Sequence, residues 1–373
     1  MEIVALQPGD TDEFIRFAWK VYAGDHLWAP PVVKERKAFL DGRRNPFFEH
    51  GRVQLFTAWD GRRTVGRLAA VINDAHDRFH AEHAAFFGLF ECLPDAEAAA
   101  LALFRAAETW SREHGAAFLR GPVNLSTNEL ECGLLVEGFG VAPVFGSSYN
   151  PPHYAVLVEG AGFTKCKDLL AFYRYHYPPL PPRGLRALDA AARLRSRQLV
   201  TIRPIDRRQI DAEALRIASI YNEAWADNWG FVPITDAEAR YLARKLDDAI
   251  LSEASRLAEV DGEAVACLVS MPDLNQLLRP LNGRLTPWNV LRARARRRHI
   301  DTARVALLGV KKPYRGLGLE ARLLAEVWKH MPTRILHWEL AWILEDNDAM
   351  IRLLQEVGAV AYKRYRLYQR TFA

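Results

Sequence analysis

Short apolar runs and amphipathic patterns alternate along the first half of the chain, which favours an α/β class with strands and helices in turn. Asp60-Gly61 between two alternating runs is typical of a hairpin turn, and Asp95 and Gly115 are typical of the start and end of a helix. We predict strands over residues 2–6, 53–59, 65–72, 85–91, from 118, and 168–175, and helices over 12–22, 96–114 and 150–162.

The second half repeats this order of elements. We predict strands over residues 199–205, 256–260, 264–271, 303–310, 335–340 and 361–368, and helices over 211–225, 236–246, 319–330 and 348–357. A proline cluster at 178–182 and an Arg-rich helix at 184–197 separate the two halves. The repeat predicts a tandem duplication, with one domain over residues 1–182 and a second over 183–373, each α/β (α+β) in class.

Composition restricts the compartment and the chemistry. Among 373 residues, 50 are Lys or Arg and 45 are Asp or Glu, a net charge of +5 that suits an anionic ligand without demanding nucleic acid. The four cysteines are far apart, so a disulfide framework or a zinc site is not expected. The first residues lack a signal-peptide pattern, and no apolar run reaches the roughly 20 residues of a membrane span. We expect a cytoplasmic protein, soluble or peripheral.

One segment has the pattern of a phosphate site. The predicted strand 303–310 is followed by Lys311-Lys-Pro-Tyr-Arg-Gly-Leu-Gly318 and then by a helix. Glycine lets the backbone approach a ligand closely, and a helix N-terminus presents free amides to a diphosphate. The dinucleotide alternative requires a third glycine where Ala321 stands, and the P-loop alternative requires Gly-Lys-Ser/Thr. A tight turn without a ligand is the plainer alternative.

This segment resembles the GNAT superfamily of N-acyltransferases, whose motif is Arg/Gln-x-x-Gly-x-Gly/Ala at the start of a helix. Arg315 and Gly318 match it, whereas Glu320 replaces the final Gly/Ala. The resemblance implies two tandem domains, each a mixed, mostly antiparallel twisted sheet flanked by helices, and acyl-CoA as co-substrate without a metal. It implies that the cofactor-binding residues are Leu308, Val310, Arg315, Gly316, Leu317, Gly318, Leu319 and Asn347.

A second block, from residue 339 to the closing strand, is similar to another segment of that family. Asn347 stands where an Asn opens a helix, and Gly358 stands where a Gly ends it. The Tyr that often serves as general acid is replaced by Leu354. The reaction also needs a backbone N–H for the oxyanion, expected near 308–310, and a base for the amine. By position, the candidate catalytic residues are Glu339 and Glu345 as bases and Tyr365 as acid; an edge-strand acid and a helix-opening acid are the alternatives for the two glutamates.

The first half resembles the same fold without the same site. Its corresponding turn, residues 91–97, has no glycine and carries three acids, so we expect it to bind no diphosphate and to supply an acceptor-binding surface. The polar stretch 124–133 favours a substrate pocket, and a capped loop is its alternative. The candidate substrate residues are Asn128, Glu129, Glu131 and Tyr154.

A basic insertion follows residue 286. Trp288 precedes Arg292, Arg294, Arg296, Arg297 and Arg298, a pattern that suits an anionic membrane surface. We therefore expect a long-chain or lipid amine as acceptor, as in a ceramide-synthase-like N-acyltransferase. Nucleic acid is disfavoured because no reading module accompanies the charge. Two alternatives stay open: a GNAT-fold binding protein that has lost catalysis, and a transferase that uses aminoacyl-tRNA.

Overall fold

Strands and helices alternate along the chain as the hydrophobic pattern predicts. The computed structural model describes residues 1–175, 181, 182, 184, 186 and 200–372. The strands are β1 (Glu2–Ala5), β2 (Gly51–Asp60), β3 (Arg63–Asn73), β4 (Ala84–Cys92), β5 (Phe118–Gly121), β6 (Leu134–Glu137), β7 (Thr164–Tyr175), β8 (Val200–Pro204), β9 (Arg256–Val260), β10 (Glu263–Pro272), β11 (Thr302–Val310), β12 (His337–Leu344) and β13 (Val360–Thr371).

The helices fall between these strands, most of them where an amphipathic pattern predicts them. They are α1 (Asp12–Arg16), α2 (Ala18–Val21), α3 (Val33–Phe39), α4 (Asp74–His80), α5 (Glu97–Glu113), α6 (Tyr154–Gly160), α7 (Ile210–Ala224), α8 (Asp236–Leu246), α9 (Asn275–Leu278), α10 (Pro287–Arg296), α11 (Leu319–Lys329) and α12 (Asp348–Glu356). The predicted Arg-rich helix at 184–197 lies largely outside the described residues.

Unit 1 comprises residues 1–169, 278–291 and 363–373. Its strands β1 to β4 are antiparallel neighbours, β4 pairs with β5 in parallel, and β13 pairs antiparallel with both β5 and β6. The long helix α5 buries Ala100, Leu103, Phe104 and Ala107, which recur every three to four residues and form one apolar face. Burying this face against the sheet forms the core of unit 1.

Unit 2 comprises residues 170–277 and 292–362. Strands β8 to β11 are antiparallel neighbours, and β11 pairs with β12 in parallel. Helix α11 buries Leu319, Leu323 and Val327, spaced at i, i+4 and i+8, in the apolar cluster on one face of the sheet. Helix α7 contributes Ile220 to a second cluster that includes Cys267 of β10. The predicted mixed, mostly antiparallel sheet flanked by helices is confirmed.

The division into units differs from the single boundary near residue 182 that the sequence predicts. Residues 363–373, at the end of the second sequence half, belong to unit 1, as do residues 278–291. The physical reason is strand pairing: Tyr368 lies opposite Gly121 and Arg366 lies opposite Leu134. A strand goes where its backbone finds partners, and the local sequence pattern carries no information about that choice.

Candidate active site

The turn between β11 and α11 leaves a group of backbone amides without acceptors. Gly316 and Gly318 have φ angles of +79° and +68°, a region that favours glycine. Gly318 is the N-cap, and no side chain caps this helix. The first amide that turns back into the helix is that of Arg322, which donates to the Gly318 carbonyl at 3.0 Å. The amides of residues 316–321 therefore donate to no other described residue, and they are ready to bind an anion.

Glu320, in the first turn of α11, does not block these amides. Its side chain is partly exposed and forms no hydrogen bond or ion pair with the described part of the chain. A carboxylate that plugged the helix N-terminus would accept bonds from those amides. The departure from the family motif at this position thus leaves the helix N-terminus open.

The cations beside the turn are less available than the sequence suggests. Lys311 is buried and its Nζ lies 2.6 Å from Glu263 Oε1, while Lys312 Nζ lies 2.9 Å from Asp227 Oδ1. Arg315 is exposed and donates one bond, at 2.6 Å, to the Ala224 carbonyl. The two lysine charges are balanced by carboxylates, so the amides and Arg315 are the groups best placed to meet an anion.

Strands β11 and β12 pair at one end and then separate. Their parallel register runs from Thr302 opposite His337 to Val305 opposite Leu340. Among the described residues the pairing does not continue beyond this point, although both strands do. Leu308 and Val310, predicted to line the cofactor site, lie in the separated part, where β11 pairs with β10. The two strands form a fork that opens toward the α11 N-terminus.

A β-bulge lies at the point where the fork begins. Val305 and Leu307 of β11 pair with Ser270 and Val269 of β10, which leaves Ala306 as the extra residue. A bulge interrupts the hydrogen-bond ladder between two strands and changes the direction of the backbone, and such irregularities occur next to active sites. The sequence analysis did not find Ala306, because a bulge in an apolar strand leaves no compositional signal.

Glu339 is fully buried on β12, one residue before the last paired position. The Tyr362 hydroxyl donates to its Oε1 at 2.5 Å, and Arg304 Nε lies 3.6 Å from its Oε2. The alternative of an edge-strand acid is wrong, because β12 lies between β11 and β7. Arg304 and Tyr362 were not found from the sequence. The sequence did contain a signal for the Arg304 contact, because each of two apolar strands carries one charged residue. A buried carboxylate requires a partner, so the two charged residues could have been paired.

Glu345 and Asn347 follow the end of β12. Glu345 is half-buried, and Asn347 caps α12 by accepting a hydrogen bond from the Met350 amide at 3.2 Å. Gly358, with a φ angle of +81°, ends the same helix. Asn347 and Gly358 thus occupy the structural positions that the sequence predicts, and the buried Leu354 packs in the core between them.

Two predicted residues are core residues of unit 1. The tyrosine of β13 proposed as an acid, Tyr365, is 2% exposed and lies opposite Leu135, so it is not part of unit 2. Tyr154 is 0% exposed and donates to Glu91 Oε2 at 2.6 Å. Both phenols are large side chains buried in the interior of unit 1, and their roles as acid and as substrate contact stay predictions.

Asn128, Glu129 and Glu131 lie in a half-buried loop of unit 1. Glu131 Oε2 accepts a bond from Asn124 Nδ2 at 3.1 Å and lies 3.3 Å from Arg36 Nη2. The Asn128 amide donates to Ser126 Oγ at 3.2 Å, which is the geometry of a capped loop. These contacts favour the structural alternative for this loop.

A small apolar cavity of about 60 Å³ lies between the sheet of unit 2 and helices α11 and α12. Val305 and Leu340, the last paired residues of the fork, line it together with Leu324, Trp328 and Leu353. Since side chains alternate along a strand, Glu339 lies on the opposite face of the sheet from Leu340. The cavity and the buried carboxylate therefore flank the fork from its two sides.

Comparisons with known proteins agree with this geometry. The chain is 35% identical over 376 residues to the bacterial ceramide synthase of Caulobacter vibrioides, covering 97% of this chain and 95% of that protein. It is 34% identical over 373 residues to protein YghO of Escherichia coli, covering 98% and 94%. This chain belongs to their family. No family model matches it.

The fold of this family member is the tandem GNAT fold, as predicted. A tandem GNAT protein from the clavulanic acid biosynthesis pathway superposes with a TM-score of 0.57 at 14% identity, covering 99% of this chain and 98% of that structure. The fold and the named relative together support an acyltransferase activity. Within residues 1–175 and 200–372, no helix is long and apolar enough to cross a bilayer. Across the same described residues, no cluster of His, Cys, Asp or Glu is arranged to hold a metal ion.

Proposed function

We propose that this protein is an acyl-CoA-dependent N-acyltransferase whose chemistry takes place in unit 2. The observation that carries the proposal is the set of open amides at residues 316–321 beside the fork of β11 and β12. The amides and the positive end of the α11 dipole suit the diphosphate of coenzyme A. The fork provides space for the thioester-bearing arm between the two strands.

The reaction forms an amide and releases a thiol. The neutral amine nitrogen attacks the thioester carbonyl carbon and a C–N bond forms. The C–S bond then breaks, and the proton that the attacking nitrogen loses ends on the leaving thiolate. A backbone N–H of β11 near Ala306–Val310 stabilises the negative charge that develops on the carbonyl oxygen. Unpaired β11 backbone on the β12 side of the fork supports this assignment.

The amine also has to lose a proton, because amines are mostly protonated at neutral pH. In our proposal the half-buried Tyr362 hydroxyl takes this proton while its own proton moves to Glu339, to which it is already hydrogen-bonded. Glu345 is the second candidate base, since it is half-buried at the end of the same strand. Tyr365, inside unit 1, has no role in this proposal.

The acyl donor and acceptor are proposed to be lipid-like. The cavity at the fork, lined mostly by apolar side chains with Arg174 beside them, suits the first carbons of an acyl group better than a polar group. The name of the Caulobacter relative, a ceramide synthase, favours a long-chain amine as acceptor.

Helix α10 supports contact with an anionic membrane surface. Trp288 and Leu291 are 69% and 63% exposed, and their spacing of three places them on one side of the helix. Exposed arginines follow at positions 292, 294, 296 and 298. Exposed aromatic and apolar side chains beside arginines suit insertion at an anionic lipid interface, where each arginine contributes about 1 kcal/mol.

Thermal unfolding with added ligands tests the proposal. Coenzyme A and a long-chain acyl-CoA should each raise the melting temperature, and adenosine, which lacks phosphate groups, should not. Incubating acyl-CoA with a long-chain amine should then yield the amide and one equivalent of free thiol. Stabilisation without thiol release would indicate a binding protein, stabilisation by aminoacyl-tRNA alone would indicate a tRNA-dependent transferase, and no response to any of them would refute the proposal.

A further inference from the structure

A cavity of about 390 Å³ lies wholly within unit 1 and is lined by none of the residues assigned above. This volume is within the range of small-molecule sites, about 300–1,000 Å³. The residues that give it its character are Trp19, Tyr22, Asp25, Trp28, Arg279 and Asn282. They combine three aromatic rings with one carboxylate, one guanidinium and one amide.

The aromatic walls are fixed in place. The rings of Tyr22 and Trp28 stack at 4.6 Å between centroids, and Trp19 meets Trp28 edge-on at 5.3 Å. Trp19 Nε1 donates to Asn282 Oδ1 at 2.6 Å. Tyr22 is buried, and its hydroxyl lies 3.0 Å from Oε2 of the buried Glu91. A rigid aromatic wall is suited to an organic cation, which is attracted to ring faces.

Asp25 gives the cavity a negative group with unused capacity. Its Oδ1 accepts a bond from the Leu27 amide at 2.8 Å, and its Oδ2 accepts one from the Tyr149 hydroxyl at 2.6 Å. Burial and this carboxylate raise the pKa of Tyr149, so its phenol stays protonated and holds Asp25 in position. Each carboxylate oxygen has a further lone pair. Asp25 can therefore accept bonds from a ligand ammonium.

Arg279 gives the cavity a positive group that the protein does not neutralise. Its Nε is buried without a hydrogen-bond partner, and its guanidinium makes no ion pair with any residue that the structure describes. Buried donors without acceptors are uncommon in folded proteins, because such a donor loses its hydrogen bonds to water and gains none in return. An anionic ligand group within the cavity would satisfy this donor.

We infer that this cavity binds a small zwitterion, a molecule in which an ammonium group meets Asp25 and the aromatic rings while a carboxylate or phosphate meets Arg279. Neither half of such a ligand suffices, because an isolated cation leaves Arg279 unsatisfied and an isolated anion leaves the aromatic wall and Asp25 unused. The inference concerns unit 1 alone and does not depend on acyl transfer.

Calorimetric titration of the full-length protein, without acyl-CoA, tests this inference. The probes are serine, phosphoethanolamine, and the two separate halves ethanolamine and inorganic phosphate. We expect at least one zwitterion to bind 10-fold or more tightly than either half. Preference for serine identifies a carboxylate as the anion, and preference for phosphoethanolamine identifies a phosphate. If the halves bind as tightly as the zwitterions, or no probe binds, the inference is wrong.

Substitutions locate the binding. Arg279→Gln should weaken the zwitterion at least 10-fold without loss of folding, because Arg279 Nε makes no hydrogen bond with the described residues. Arg284→Gln is the matched control, since Arg284 is exposed on the same segment and does not line the cavity. Unchanged binding in Arg279→Gln, or equal weakening in both variants, would exclude this cavity as the site.

Discussion

The two units contain the same strand–turn–helix arrangement with opposite outcomes. In each, a strand pairs in parallel with the next one, β4 with β5 and β11 with β12, and a helix connects them. In unit 1 the turn closes on itself: the Leu93 amide donates to Val65, the Ala96 amide donates to Leu93, and Pro94 has no N–H. In unit 2 the corresponding amides are open. The shared topology is therefore compatible with a closed or an open anion site, and the turn residues decide which.

The forks differ in the same way. Beyond the residues of β4 that pair with β5, the segment that follows β5 in the chain bonds to β4. The Val123 amide donates to the Phe87 carbonyl at 2.7 Å, and Asn124 Oδ1 accepts from the Leu89 amide at 2.9 Å. A Cβ atom at Gly88 would lie 2.2 Å from the Val123 carbonyl oxygen, which shows how closely the segment approaches. The chain itself fills the fork of unit 1, whereas the fork of unit 2 has no such segment among the described residues.

The largest effect is expected from closing the open turn. Gly316→Val should abolish acyl-CoA stabilisation and reduce acyl transfer on the order of 10³-fold, because a branched side chain at positive φ displaces several amides that bind the diphosphate. Acyl-CoA titration and thiol release measure the two effects.

Gly262→Val is the matched control for that variant. Gly262 has a φ angle of +84°, and a Cβ atom at either glycine meets nothing within 4 Å. Both variants should lose a similar amount of stability, and only Gly316→Val should lose acyl-CoA binding. Equal loss of binding in both would show that the turn is not the diphosphate site.

The next-largest effect is expected from a comparison of Glu339 and Glu91, two buried carboxylates with similar partners. Glu339→Gln should lower kcat on the order of 10²-fold, because it removes the proposed proton acceptor. Glu91→Gln in unit 1 removes a carboxylate that contacts Arg67 and two tyrosines, and it should cost stability, about 3 kcal/mol, at nearly unchanged kcat.

Denaturant unfolding and steady-state kinetics on both variants check this contrast. A Glu91→Gln variant that loses kcat as strongly would contradict the assignment of catalysis to unit 2.

A smaller effect concerns the response of unit 1 to acid. Burial lowers the pKa of His76 to about 4, although it bonds Glu82. The unfolded chain then binds a proton more readily than the folded one between pH 6.5 and 4. The contribution of His76 to the free energy of unfolding is fully present above pH 6.5. Between pH 6.5 and 4 it decreases as pH falls, by about 1.4 kcal/mol per pH unit.

Hydrogen exchange at several pH values measures this decrease locally. Residues of β4, which packs beside His76, should lose protection on acidification, and His76→Gln should flatten the dependence. If strands of unit 2 respond to the His76 substitution as strongly as β4, the acid response is not local to unit 1.

The smallest effect is expected at the membrane surface. Trp288→Ala should weaken binding to vesicles that contain anionic lipid by several-fold, because an exposed indole favours the interface. Val156→Ala, which alters a side chain 66% exposed on α6, should leave sedimentation with vesicles unchanged. Identical behaviour of the two variants would remove the basis for membrane contact at α10.

Much of the fold follows from local patterns, and much of the site does not. The hairpin at Asp60-Gly61 and the helices α5, α8 and α11 lie where turn residues and periodicity predict them, although the N-cap of α5 is Ala96 and not the predicted Asp95. The open turn at Gly316 and Gly318 was also predictable, since glycine spacing before a helix is a local signal. These features depend on neighbours in sequence.

The residues that sequence analysis missed depend on long-range pairing. The contact of Glu339 with Arg304 and Tyr362 joins three strands, and the bulge at Ala306 exists only because β10 and β11 differ by one residue in register. The burial of Tyr154 and Tyr365 was missed for the same reason, since burial follows from which strands and helices surround a residue. Single-sequence patterns do not contain this information.

The placement of β13 has a consequence for the order of folding. Leu119 of β5 pairs with Arg370, near the far end of the sequence, so the sheet of unit 1 lacks a strand until nearly the whole chain has been synthesised. Closing so long a loop is entropically costly and slows folding. The half of the protein that the ribosome makes first is thus among the last parts to complete its native sheet.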